Sequence, residues 1–106
     1  MAITVNLRYT GAHGSAMKFV EEMISSGTVE AIRREPGNLR YAYYQSLEDP
    51  ETILLIDSWQ DQASIDAHHA SPMMATLAAL RDKYDLHMTA ERYARLEDAD
   101  SEFIRK

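Results

Sequence analysis

The residues best suited to chemistry cluster in the middle of the chain: Asp57, the lone tryptophan Trp59, and the adjacent pair His68-His69. Imidazole ionises near neutrality, so His68 is the natural general base. It equally fits a histidine on a helix surface or one closing a core hydrogen bond. Trp59 either stacks on a planar ligand or donates its indole N–H, or else it simply fills the core. Asp57 precedes Trp59 by two residues on an apparent strand, so both project from one face. Asp57 either orients His68 or pairs with Arg40 or Arg92, and we take the arginine pairing. Asn38, after Pro36-Gly37, either donates to an oxyanion or satisfies its own turn. His69 points about 100° away from His68 around a helix and is expected to be solvated.

Other side chains complete the candidate site. Asn6 is a polar group expected beneath the helices, and Tyr41 and Tyr43 bring aromatic bulk. Met73, Met74 and Leu77 line either a pocket or ordinary helix core. Adjacent histidines on a helix do not face one site, so no metal-ligand spacing is present. No glycine-rich phosphate loop appears, so neither a nucleotide nor a flavin is indicated.

Composition narrows the classes further. With 106 residues the chain is expected to form one domain, residues 1–96, followed by a charged tail, 97–106, that carries Phe103 and Ile104. The net charge of −6 and the lack of a basic stripe argue against nucleic-acid and anionic-membrane partners. No cysteine is present, which removes disulfides, thiolate nucleophiles and cysteine metal sites. The first residues have no signal-peptide pattern, and no apolar run approaches a membrane span; a cytoplasmic location is the expectation.

The elements that must position these residues follow from periodicity. Ile3, Val5, Leu7 and Tyr9 alternate with polar residues and predict a strand over 3–9. Ser15 is expected to cap a helix carrying Met17, Val20 and Ile24, with Phe19 and Met23 beside them. Ser25-Ser26-Gly27 predicts a break and a restart before Val29. Pro36-Gly37 suits a type II turn into a strand, 39–45, and Asp49-Pro50 reverses the chain into a second strand, 53–59. Asp61 caps a short helix, and Ser71-Pro72 is expected to start the last one, which carries Met73, Leu77, Leu80 and Tyr84. A fourth strand is predicted over 86–96.

The order strand-helix-strand-strand-helix-strand predicts an α+β, ferredoxin-like split βαββαβ protomer, with both helical segments on one face of a four-stranded antiparallel sheet. Ile53, Leu54, Leu55 and Ile56 are apolar without alternation, so both faces of that strand want burial. The chain has no further element to cover the second face. A homodimer, sheet against sheet, is expected.

The run Glu35-Pro36-Gly37-Asn38-Leu39-Arg40-Tyr41, then Tyr44-Gln45-Ser46, Asp49-Pro50, Asp57-Ser58-Trp59, Ala67-His68 and Ser71-Pro72, resembles the antibiotic biosynthesis monooxygenase family and its quinol-monooxygenase members. The likeness is dense over residues 35–73 and looser on either side. It implies a dimeric α+β barrel with a pocket between helices and sheet in each protomer. It also implies oxidation of quinol- or anthrone-like aromatics by molecular oxygen without flavin, haem or metal, the substrate supplying the electrons after losing a proton. His68 stands where that family recurrently has a histidine, and Asp57 where relatives often carry glutamate. Met73 replaces a second histidine common in relatives, which argues against a two-histidine mechanism. Residues 73–84 hold no histidine, which argues against the haem-degrading branch. The expectation is a monooxygenase acting through His68, Trp59 and Asn38. The alternatives are a proton-transfer isomerase on a small carbonyl compound and a non-enzymatic ligand-binding dimer.

Overall fold

A tight turn sets the frame. Pro36 and Gly37 take its central positions, with Gly37 at φ 84° and the Asn38 N–H bonded to the Glu35 carbonyl at 3.1 Å. Only glycine holds that φ without strain. A Cβ on Gly37 would also collide with the Ser64 side chain, so the turn and the helix that carries Ser64 are locked together.

The computed structural model describes residues 1–94. In chain order the elements are β1 (Ile3–Thr10), α1 (Ser15–Ser25), α2 (Thr28–Arg33), β2 (Asn38–Gln45), β3 (Thr52–Trp59), α3 (Gln62–His69), α4 (Met73–Lys83) and β4 (His87–Ala94). The sheet is antiparallel throughout, in the order β2-β3-β1-β4. This is the expected ferredoxin-like split arrangement. The predicted tail and the last residues of the predicted fourth strand lie outside the described residues.

Register assigns the faces. Val5 lies opposite Asp57 and Arg92, Leu7 opposite Leu55 and Ala90, and Tyr41 opposite Asp57. Side chains alternate between faces along each strand. Ile53, Leu55, Asp57 and Trp59 are therefore buried under the helices, while Leu54, Ile56 and Ser58 on the far face are half-buried. Phe19 and Met23 from α1, Ile32 from α2, and Ile53, Leu55 and Trp59 from β3 form the fully buried centre. Burying each such large side chain contributes about 1.5–3 kcal/mol.

Two expected helix caps are absent. Ser15 does not cap α1; its hydroxyl accepts from the Ala12 N–H. The carboxylate of Glu51 reaches across from the β2–β3 connection instead and accepts the Gly14 N–H. An ionised group there also complements the positive end of the helix dipole. Ser71 does not cap α4 either. Pro72 takes the cap position, and the Ser71 carbonyl, not its hydroxyl, accepts from the Met74 N–H. Among the described residues the buried Ser71 hydroxyl oxygen has no hydrogen-bond partner. Asp61 does cap α3, accepting the Ser64 N–H at 2.8 Å.

Asn6 is also displaced from expectation. It lies opposite Ile56 and Glu91, on the sheet face turned away from the helices, where its Oδ1 is buried and unpartnered. Strand parity decides this: Asn6 sits between Val5 and Leu7, both of which face the helices.

Candidate active site

Four side chains from three elements meet where α3 crosses the end of β3. Asp57 and Trp59 share one face of β3, and the Trp59 indole N–H donates to Asp57 Oδ1 at 2.7 Å. His68, on α3, lays its ring over the indole, with centroids 4.7 Å apart and planes 30° from parallel. On its other side His68 Nδ1 lies 2.5 Å from Glu35 Oε2, in the turn before β2. His68 is 4% exposed and Glu35 19%. An ionised carboxylate only accepts hydrogen bonds, so the imidazole proton sits on Nδ1 and leaves Nε2 with its lone pair.

The expected arginine pairing of Asp57 is therefore replaced by the indole bond. Asp57 is 6% exposed, and burial pushes its carboxyl up from 3.8 to about 6. The nearby His68 imidazole and the indole N–H oppose that rise, and Glu35 adds to it. A carboxyl held near neutrality beside an imidazole is a feature that structural and catalytic groups share, though it is commoner at catalytic sites.

Two hollows lie against this cluster. The larger, about 310 Å³, is walled by Val5 and Leu7 of β1, Asp57 and Trp59 of β3, Ile65 and His69 of α3, and β4. The smaller, about 120 Å³, is bounded by His68, Tyr9, Tyr41, Met74, Leu77 and Arg81, among others. Both share Leu7, Asp57 and His69. Trp59 and His68 thus face separate lobes that meet at Asp57, rather than one undivided chamber. The larger lobe falls at the small end of ligand-sized cavities (~300–1,000 Å³), which suits a compact planar molecule.

The smaller lobe holds hydrogen-bond donors. Burial pushes the Tyr9 hydroxyl up to about 12 and raises Tyr41 and Tyr43 further, so all three stay protonated at neutral pH. The hydroxyls of Tyr41 and Tyr43 lie 3.4 Å apart. Arg81 adds a guanidinium to the same wall.

The sequence-derived candidates divide accordingly. His68, Trp59, Asp57, Tyr41, Leu77 and Met74 line the two lobes. Asn38 does not; its amide donates to the Arg40 and Ser58 carbonyls at 3.4 and 3.5 Å, the turn-satisfying alternative. Met73 borders a different hollow, with Glu35, Ser71, Pro72 and Thr76. Tyr43 reaches the site only through Tyr41. His69, expected in solvent, is exposed yet borders both lobes. Glu35, Tyr9 and Arg81 were not singled out. Only Glu35 carried a local signal, as a carboxylate fixed against a rigid Pro-Gly turn. Among the described residues no group of three metal-ligating side chains lies together, and no helix is long and apolar enough to cross a membrane.

A four-stranded antiparallel sheet with its helices packed on one face defines a ferredoxin-like domain. The sequence profile of antibiotic biosynthesis monooxygenases matches residues 2–80, and the chain belongs to that family. Its fold is similar to that of a conserved protein from Methanosarcina mazei (24% identity, TM-score 0.77, covering 91% of this chain and 94% of that one). It is also similar to SnoaB, a cofactor-independent oxygenase from Streptomyces nogalater (17% identity, TM-score 0.75, covering 91% and 94%). Over 49 residues the chain is 29% identical to an uncharacterised Synechocystis protein, a match spanning 46% of this chain and 33% of that one.

Proposed function

We propose that this protein is a cofactor-independent monooxygenase that oxidises a small electron-rich aromatic, quinol- or anthrone-like, with molecular oxygen. The observation that carries the reading is the Glu35–His68 pair stacked on Trp59, with Trp59 walling the ligand-sized hollow and His68 walling the smaller one that meets it at Asp57. His68 Nε2 takes the proton from the substrate hydroxyl or acidic carbon. Tyr9, Tyr41 and Arg81 stabilise the resulting oxyanion. The electron-rich anion then reduces oxygen; one oxygen atom enters the ring carbon and the other leaves as water, all electrons coming from the substrate. Val5, Leu7, Ile65 and Leu77 keep water from the reacting carbon.

The test is oxygen uptake by purified, metal-free protein with menadiol or an anthrone. Uptake with formation of the oxygenated product supports the reading, and uptake no faster than a protein-free blank rejects it. A second reading, a proton-transfer isomerase, draws on the Asp57 carboxyl held near neutrality beside His68. Two groups able to exchange protons on one lobe suit removal and return of a proton on one carbonyl compound. Solvent deuterium entering a carbonyl substrate without oxygen consumption distinguishes it.

We further propose that the working form is a homodimer joined through the far sheet face. Ala42, Leu54 and Ile56 form an apolar centre there. Arg8–Glu91, Thr4–Ser58 and Arg40–Tyr44 contacts ring it.

A further inference from the structure

A base that works in a water-free chamber meets two opposed demands. Water must be kept from the reacting carbon, yet the imidazole must exchange protons with the bulk between half-reactions. The wall that carries His68 has a second side. There, a hollow of about 220 Å³ is lined by Glu35, Pro36, Ser64, Ala67, His68 and Ser71. A neighbouring one, about 270 Å³, shares Glu35 and Ser71. His68 is thus the partition between the smaller inner lobe and an outer groove. Asp57 borders both inner lobes and neither outer hollow.

We infer that Glu35 is a positioning residue that links His68 to solvent through this outer groove, a proton path separate from the substrate entrance. The inference rests on the monooxygenase reading only for its kinetic consequence. Glu35 is the one acidic group bonded to Nδ1, and it reaches the groove. Ser71 lines the same groove, and water held there completes the path from Glu35. The other charged or titratable groups around His68 are Asp57 from β3, the neighbouring His69, and Tyr9, Tyr41 and Arg81 along the inner lobe. Asp57 does not compete as the outlet, because it is buried and already accepts the indole N–H.

The transfer is proton-only. Nε2 receives the substrate proton, the Nδ1 proton passes to the Glu35 carboxylate, and that carboxylic acid releases it to water in the groove. In the second half-reaction a proton returns by Glu35 to Nδ1, while the Nε2 proton goes to the departing oxygen. Glu35 also selects the tautomer. In Glu35→Gln the amide can donate to Nδ1 and so fix the unproductive form.

The experiment follows the His68 ring by nitrogen-15 and proton NMR in the full-length protein. Wild type is expected to show an Nδ1-bound proton in a strong hydrogen bond, exchanging with water. Glu35→Gln should lose that signal and lower kcat on the order of 10²-fold or more, with KM little changed. Ser71→Leu, which fills the groove, should slow exchange of the Nδ1 proton several-fold; Ala67→Leu, at an exposed helix position on the same groove, repeats the measurement if Ser71→Leu does not fold. Formate should restore both exchange and kcat to Glu35→Ala and not to His68→Ala. An Nδ1 signal that survives Glu35→Gln, or exchange unaffected by either groove-filling variant, overturns the inference. Were the wild type inactive toward every quinol and anthrone, the monooxygenase reading would fall, and the tautomer and exchange measurements would still decide this one.

Discussion

At the scale of single residues, the site contrasts two titratable groups with different surroundings. His68 is bonded by Glu35 and stacked on Trp59, so its ring is fixed with Nε2 free. His68→Ala is expected to lower kcat by ~10²-fold or more, and steady-state oxygen uptake checks this. Asp57 is a buried acid. Its carboxyl binds its proton more tightly folded than unfolded, so between pH 3.8 and about 6 the folded state carries the extra proton. Its contribution to stability is therefore complete below the lower value and is lost as pH rises through the upper one, about 3 kcal/mol in all. Asp57→Asn still offers the indole an acceptor. The variant should lack that slope and be more stable than wild type above about pH 6. Denaturant unfolding of both proteins across this range checks it, and parallel curves would count against a raised Asp57.

At the scale of elements, the site depends on how the turn before β2 meets α3. Gly37 has no room for a Cβ, since Ser64 stands against it. Gly27, between α1 and α2, has a similar φ of 80° but nothing within contact distance of a Cβ. Gly27→Ala should therefore cost about 1 kcal/mol from backbone strain alone. Gly37→Ala should cost more, about 2–3 kcal/mol, and should also weaken the Glu35–His68 bond. Urea midpoints for the two variants measure the difference, and equal losses would show that the turn and α3 are not locked. The hairpin, the break at Gly27 and the Asp61 cap were all legible in local sequence, because each depends on a few adjacent residues. The Ser15 cap fails for the converse reason: Glu51, distant in sequence, serves that helix end instead. At Ser71 the cause is local, since Pro72 takes the cap position and the Ser71 carbonyl accepts the Met74 N–H.

At the scale of the whole molecule, the sheet has one roofed face and one bare face among the described residues. A stable pairing of two such faces would bury on the order of 1,200–2,000 Å². Sedimentation at micromolar concentration should give a dimer mass, and Ile56→Glu or Tyr44→Glu should give a folded monomer. A monomeric wild type would remove the dimer proposal while leaving the chamber untouched. The family assignment and the fold agree at this scale, and both were readable from the order and spacing of the Pro-Gly turn, the hairpin and the Trp59–His68 segment.

The sequence by itself determined the strand and helix order, the apolar face of β1, and the presence of Asp57, Trp59 and His68 near one another. Those features follow from periods of two and 3.6 residues and from turn chemistry, which act over short stretches of chain. Tertiary structure alone decided that Glu35, 33 residues from His68, holds its ring. It also decided that Asp57 serves the indole rather than an arginine, and that His68 divides an inner lobe from an outer groove. Each of these depends on how α3 packs against the turn and the sheet. Such packing is set by the shapes of side chains far apart in sequence, and no local period encodes it.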